Sequence, residues 1–280
     1  MLLITGANGQ LGKAVVEQCL RQGIPFYPVT KSELDITCAS SVNRLVSEQK
    51  FDCIINCAAY TAVDAAETDV ANAYTVNAFG PWVLASTGVP IIHVSTDYVF
   101  DGTAVSPYET NDLTRPLSVY GLSKRAGEVS LLEGQFNGAI VRTAWVYSKA
   151  AESRNFFNTI SRLASERDSL RVVSDQTGAP TRVEDLALAL LSLYKQGTHK
   201  QPMHIVHFTN AGQCSWYDFA CEIVKTTGSS CSVIPITTAD YPTKAVRPAY
   251  SVLSLKSLEP YGVKPRFWLD ALSDEYQIDV

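Results

Sequence analysis

Leu2-Leu3-Ile4-Thr5-Gly6-Ala7-Asn8-Gly9-Gln10-Leu11-Gly12 decides how this chain is read. Leu2–Thr5 is a short apolar run, as in a buried strand. From Gln10 onward, Leu11, Ala14, Val15 and Cys19 recur on one stripe at helical spacing. Between them the glycines fall in a GxxGxxG pattern. Gly6 permits a tight turn out of the strand. Gly9 lets the backbone approach a pyrophosphate, and Gly12 lets the helix pack closely on the sheet. The helix start adds free N–H groups and a partial positive charge. Standing alone, such a turn needs no ligand; between a strand and a helix it points to dinucleotide binding, with Asn8, Gln10 and Leu11 in the same loop.

Outward from this loop the chain keeps alternating. Strands are expected at Pro25–Val29, Cys53–Asn56, Ile91–Ser95 and Ala139–Thr143. Helices are expected at Gln10–Gln22, Ser40–Gln49, Ala65–Ser86 and Val119–Leu132. Alternation with nearly continuous apolar strands predicts an α/β fold, a Rossmann-type doubly wound parallel sheet covered on both faces. After Thr143 the pattern loosens. Asn155–Glu166, Val183–Tyr194 and Ser215–Thr226 are helical, the last with Ser215 as a cap. Leu170–Val173 and His204–Phe208 are strands. From Ser229 onward five prolines and several aromatics predict an ordered tail of short elements. The expected division is a dinucleotide-binding domain, 1–143 with interleaved 182–208, and a smaller C-terminal α/β substrate lobe, 144–181 and 209–280.

Composition narrows the partners. Of 280 residues, 46% are apolar, enough for a sizeable core, and only 18% are charged, below the roughly 25% of ordinary soluble domains. The balance of 23 basic and 28 acidic side chains, net −5, argues against nucleic acid. It leaves room for a small anion held by local donors. The longest helical apolar stretch, Leu186–Tyr194, is about half the ~18 residues a membrane span needs. Met1–Ile4 has no basic flank and stops at Thr5-Gly6, so it reads as a strand, not a signal peptide. Seven cysteines without a CxxC pair suit reduced thiols and a cytoplasmic location. His204 and His207 share one strand at an odd spacing, which puts them on opposite faces. No metal is expected.

The end of the second strand selects the cofactor. NAD-binding chains usually place an acid there for the ribose 2′-hydroxyl. Here Phe26-Tyr27-Pro28-Val29 runs into Thr30-Lys31-Ser32, and Glu33 comes late. Lys31 and Ser32 suit a 2′-phosphate, so NADP(H) is expected ahead of NAD(H), unless Lys31 is only a solvated charge. Leu34-Asp35-Ile36 lines the adenine side, with Asp35 either bonding cofactor or backbone, or capping the next helix.

Tyr120-Gly121-Leu122-Ser123-Lys124 is a YxxxK motif. On a helix its two ends share a face. A lysine ammonium near the phenol lowers the tyrosine pKa and readies it for proton exchange with a carbonyl. An isolated match means little, but this one has company. Val94-Ser95-Thr96-Asp97-Tyr98-Val99-Phe100-Asp101-Gly102 lies at the carboxyl end of the Ile91–Val94 run, the edge where open parallel sheets bind ligands. There Thr96 can hydrogen-bond the oxygen that Tyr120 protonates.

With these blocks the chain resembles the extended short-chain dehydrogenases/reductases, and within them the dTDP-4-dehydrorhamnose reductases. Further supporting blocks are Asn56–Asp64, Arg142–Tyr147, Asp175–Thr181 and Arg247–Ser251, so the resemblance covers almost the whole chain. It implies NADPH-dependent reduction of a dTDP-4-dehydro-6-deoxy-L-mannose to dTDP-L-rhamnose, with Thr96, Tyr120 and Lys124 as the catalytic triad. Lys124 would also hold the nicotinamide ribose. Ala58, Ala59 and Tyr60 would border the cofactor, and Asn77 would support the site unless it is an ordinary buried asparagine. Val63, Tyr98, Trp145, Gln176 and Arg247 would meet the dTDP-sugar, Arg247 at its diphosphate; a core role for Trp145 stays open. Related dehydratases carry Thr-Asp-Glu where this chain has Thr96-Asp97-Tyr98, so elimination lacks its second carboxylate. Some reductases of this family bind magnesium at a dimer interface through an early glutamate. Ala14 stands there, so no metal-linked dimer of that type is expected, leaving monomer or homodimer. The alternatives are reduction of another dTDP-4-keto-6-deoxysugar, or a non-catalytic NADP-binding regulatory subunit of another enzyme.

Overall fold

Four consecutive buried side chains in Leu2–Thr5 (β1) require cover on both faces, and the rest of the fold supplies it. The computed structural model describes residues 1–273; 274–280, the end of the expected second lobe, lie outside it. Helix α1 (Gln10–Arg21) returns the chain to β2 (Phe26–Val29), and α2 (Ala39–Glu48) to β3 (Cys53–Asn56). Next come β4 (Ile91–Thr96), α3 (Val119–Glu133), β5 (Gly138–Thr143), α4 (Phe156–Glu166) and β6 (Ser169–Val173). Then follow α5 (Val183–Lys195), β7 (His204–His207), α6 (Trp216–Thr226) and β8 (Ser232–Ile236), and a short helix at Trp268–Ser273 ends the described residues.

The central sheet has the order β7-β5-β4-β3-β1-β2, with every neighbouring pair parallel. This is the doubly wound sheet the alternation predicts. Strand order reverses beside β1, so a crevice opens at the carboxyl ends of β1 and β3. Pro28 is tolerated because β2 is an edge strand. Side chains alternate across the sheet. Leu2 and Ile4 pack with Val15, Leu190 and Val206 under α1 and α5. Leu3 packs with Val42, Leu84 and Leu131 on the opposite face. A separate core of Tyr147, Phe157, Phe219 and Trp268 joins α4 to α6, while β6 pairs in parallel with β8. Ser215 caps α6 in a reciprocal box with Asp218.

The expected single helix over Ala65–Ser86 is broken. Short helices at Val63–Ala66 and Val70–Tyr74 lead into a π turn, Thr75–Phe79, followed by Gly80–Ala85. Asn77 lies inside that turn and is 1% exposed. It accepts from Tyr60 N at 2.8 Å and donates to Tyr60 O and Ser123 Oγ, each at 3.0 Å. An inserted π turn is a common way to aim one side chain at a site. Here it ties the loop after β3 to the helix that carries Tyr120.

Candidate active site

The glycine loop forms the floor of the crevice. Gly6 has φ of +66°, and a Cβ on it would lie 2.8 Å from the backbone of Ala58. A Cβ on Gly12 would lie 2.2 Å from Gly6 O. No side chain caps the start of α1 at Gly9, so its first N–H groups are free for an anion. This cradle suits a dinucleotide diphosphate. A pocket of ≈ 350 Å³ beside it is lined by Gly6, Asn8, Gly9, Lys31, Asp35 and Ile36, together with Ala58, Ala59 and Tyr60. Leu34 and Val76 complete its apolar wall. Glu33 is turned to other work, accepting from the amide and hydroxyl of Thr30, each at 2.8 Å. Asp35 accepts from the amide and hydroxyl of Thr37 at 2.9 and 2.7 Å. Both bonds hold its carboxyl below the usual range, so Asp35 fastens the turn before α2 while still lining the pocket.

A larger cleft of ≈ 590 Å³ continues from Gln10 and Leu11 past the end of β4. Thr96, Tyr120 and Lys124 line it together, as do Val63, Tyr98 and Trp145. Thr96 is 5% exposed and donates to Asp97 Oδ1 at 3.1 Å. Burial pushes the Tyr120 phenol up to about 12, opposed by a hydrogen bond with Thr96. Tyr98 packs edge-on against the Tyr120 ring, with centroids 5.5 Å apart. Burial also pushes Lys124 down to about 8, opposed by the Glu128 carboxylate. Asp97, 1% exposed, is raised to about 6 by the same cause.

One expectation is corrected here. The YxxxK spacing predicts a tyrosine pKa lowered by the lysine, yet the phenol lies above its ordinary value. Lys124 Nζ is engaged elsewhere, with Val94 O at 2.6 Å and His93 Nε2 at 3.3 Å, and desolvation dominates at Tyr120.

The comparisons with known proteins agree with this geometry. Residues 1–278 match the family model described as RmlD substrate binding domain. The chain belongs to this family. It is 39% identical to the spore coat polysaccharide biosynthesis protein SpsK of Bacillus subtilis, covering 99% of this chain and 96% of that one. A crystal structure of a dTDP-4-dehydrorhamnose reductase from Clostridium acetobutylicum superposes with a TM-score of 0.91. It is 41% identical and covers 97% of this chain and 96% of its own. The dTDP-4-dehydrorhamnose reductase of Bacillus anthracis, solved in complex with NADP, has a TM-score of 0.89 at 37% identity, with coverage of 97% and 96%.

Within this RmlD-family fold the substrate-side residues separate. Trp145 lines the cleft with a φ of +47°. Its ring stacks on Trp216, centroids 3.5 Å apart and planes 9° apart, so the tryptophan both packs and borders the cleft. Gln176 and Arg247 are not among the residues that line it. Gln176, 5% exposed, donates to Thr238 Oγ1 at 3.0 Å. Arg247 donates two bonds to Asp64, at 3.2 and 2.7 Å. Gly12 and Asn77 act from behind the walls, through packing and through Tyr60. Among the described residues no group of three or more His, Cys, Asp or Glu is placed to hold a metal ion, and Ala14 is buried. No described helix is long and apolar enough to cross a membrane.

Sequence reasoning missed Trp216, His93, Asn56 and the buried pair Glu128–Arg142. Trp216 is the first residue of a helix far along the chain from Trp145, and nothing local marks it. His93 and Asn56 look like ordinary strand residues until their neighbours are known.

Proposed function

We propose that this chain reduces the C4 ketone of dTDP-4-dehydro-6-deoxy-L-mannose, using NADPH, to give dTDP-L-rhamnose for cell-surface polysaccharide. The observation that carries this reading is the convergence of Thr96, Tyr120 and Lys124 in one cleft that opens onto the glycine cradle. NADPH supplies the hydride. The Thr96 hydroxyl and the Tyr120 phenol orient the ketone oxygen, and Tyr120 gives it a proton as the hydride arrives. A phenol raised to about 12 is protonated throughout the neutral range, which is the state a reductase needs. Lys124, at the far end of the motif, holds the nicotinamide ribose. Tyr98 stands where elimination would need a second carboxylate, which favours simple reduction.

Lys31, with Glu33 committed to Thr30, favours NADPH over NADH. Val63, Tyr98 and Trp145 border the sugar, and Gln176 and Arg247 belong to the nucleotide side, Arg247 reaching the diphosphate by exchanging Asp64 for phosphate. The division into 1–143 with 182–208, and 144–181 with 209–280, separates cofactor from sugar recognition. The same reading places the enzyme in the cytoplasm as a monomer or homodimer. Mixing the pure protein with NADPH and this sugar nucleotide tests it by loss of NADPH absorbance. Turnover in wild type that Tyr120→Phe abolishes is expected. No oxidation by wild type, or undiminished oxidation by the variant, overturns the proposal.

A further inference from the structure

A buried file of polar side chains runs beneath the site, from β1 through β3 and β4 into α3. Thr5, Asn56 and His93 are fully buried and Lys124 is 2% exposed. Thr5 Oγ1 donates to Asn56 Oδ1 at 2.6 Å, and the Ala58 backbone N–H donates to the same oxygen at 3.1 Å. A backbone N–H can only donate, so this end of the amide is its oxygen. The other end, Nδ2, therefore faces His93 Nδ1, at 3.0 Å. An amide nitrogen only donates, so Nδ1 accepts.

Burial, the largest cause, holds His93 well below the usual histidine range, so its ring is neutral. A neutral imidazole that accepts at Nδ1 carries its proton on Nε2. That N–H points to Lys124 Nζ, 3.3 Å away. An ammonium has three donors and no acceptor, and would set N–H against N–H. An amine has a lone pair for His93 and keeps an N–H for Val94 O, at 2.6 Å.

We propose that His93 is a positioning residue that holds Lys124 as a neutral amine in the free protein at mildly alkaline pH, and that dinucleotide binding there is accompanied by proton uptake at Lys124. The negative diphosphate favours the ammonium, and ribose hydroxyls then replace His93 as its partners. The lowering of Lys124 to about 8 by burial accords with this. The acidic groups on elements packed against α3 leave the pairing unchanged. Glu128, which opposes the lowering, is bonded to Ser95, Arg125 and Arg142. Asp97 is bonded to Thr96. Asp64 is paired with Arg247, and Glu67 accepts from Val119 N. Tyr120 stays protonated.

The inference rests on the proposed function only in naming NADPH as the ligand. The tautomer is read on the free protein by long-range ¹H–¹⁵N correlation of ¹⁵N-histidine-labelled protein between about pH 8.5 and 9.5, above the Lys124 titration near 8. His93 is assigned by signal loss in His93→Gln. If that variant does not fold, it is assigned by replacing His199, His204 and His207 in turn. The Nε2–H form is expected throughout; the Nδ1–H form or an imidazolium overturns the inference. Proton uptake is read by titrating NADPH calorimetrically at pH 8.5 in two buffers of different ionisation enthalpy. Cys38, lowered to about 7, is replaced by Ser in every protein used. About half a proton or more is expected per site, from a group titrating near 8. Asn56→Asp, which presents an acceptor to Nδ1, should turn the ring to Nδ1–H and abolish the uptake. No uptake in the wild-type background overturns the second half. Failure of NADPH to bind overturns the proposed function and that half with it, while the tautomer result stands or falls by itself.

Discussion

Arg142 meets Glu128 in a two-pronged ion pair, Nε to Oε1 and Nη2 to Oε2, each at 2.8 Å, and neither side chain is more than 2% exposed. Ser95 Oγ donates to Oε1 at 2.7 Å, and Arg142 Nη1 donates to Thr110 O at 3.2 Å. The pair fastens α3, which carries Tyr120 and Lys124, to β5 and, through Ser95, to β4, which ends in Thr96. Removing one partner leaves the other charge buried and alone, which costs about 3–5 kcal/mol. Glu128→Ala should lose that much stability in urea unfolding. A loss under about 1 kcal/mol would show that the pair does not hold the helix in place.

Tyr120→Phe tests proton donation apart from binding. Losing a positioned acid costs about 10²–10⁴ in rate, so kcat should fall by that order while NADPH affinity, followed by fluorescence, changes by less than about threefold. The ring and its edge-on contact with Tyr98 survive the change. A matching loss of NADPH affinity would assign the phenol to cofactor binding instead.

Asp97 sets a pH dependence of stability. Its carboxyl is raised from 3.8 to about 6, chiefly by burial. The folded state therefore binds more protons than the unfolded state between these values, and stability falls as pH rises through them. The contribution is fully present below about pH 4 and gone above about pH 6. Two units correspond to about 3 kcal/mol. Asp97→Asn, which stays neutral, should be more stable than wild type at pH 8 by up to about that amount, with little advantage at pH 4. Denaturation at the two pH values that gave the same difference would contradict this.

The legible part of this protein is the part written in contiguous chain. The loop from Gly6 to Gly12 could be read because a strand, a turn and a helix follow one another within a dozen residues, and each glycine answers a local steric demand. The same holds for Thr96 at a strand end and for the YxxxK helix. What a helical spacing specifies is the face on which Lys124 sits; it says nothing of where a four-carbon stem delivers its nitrogen. That depends on His93 from another strand, and on Asn56 beyond it. The π turn around Asn77 was hidden for a related reason. Its apolar pattern is helical throughout, and only the tertiary bonds to Tyr60 and Ser123 stabilise the extra residue.

Lys31 lines the pocket beside the glycine loop, Glu33 is occupied by Thr30, and Asp35 by Thr37. Lys31→Ala should raise KM for NADPH by about tenfold, the effect of one charged phosphate contact. KM for NADH should stay nearly constant. Steady-state titration of both cofactors decides it. Equal losses would mean that Lys31 serves the loop and not the 2′-phosphate.

Gly178 offers the sharpest test of the sugar wall. A Cβ there would lie 2.4 Å from the Trp145 ring, and Trp216 closes the opposite side of that ring at 3.5 Å between centroids. The indole cannot retreat, so Gly178→Ala must tilt it within the cleft. The nucleotide sugar should lose its contact with the rim of the indole that borders the cleft, a contact made equally in ground and transition states, which raises KM and leaves kcat nearly unchanged. About tenfold in KM corresponds to ~1.4 kcal/mol. NADPH affinity should change by less than about threefold, because Trp145 is not among the residues that line the pocket with Lys31 and Asp35. Trp216→Ala, which frees the far face, should partly restore KM in the double variant, since the tilted ring regains room. A fall in kcat at constant KM would place Trp145 in the chemistry rather than in recognition of the sugar.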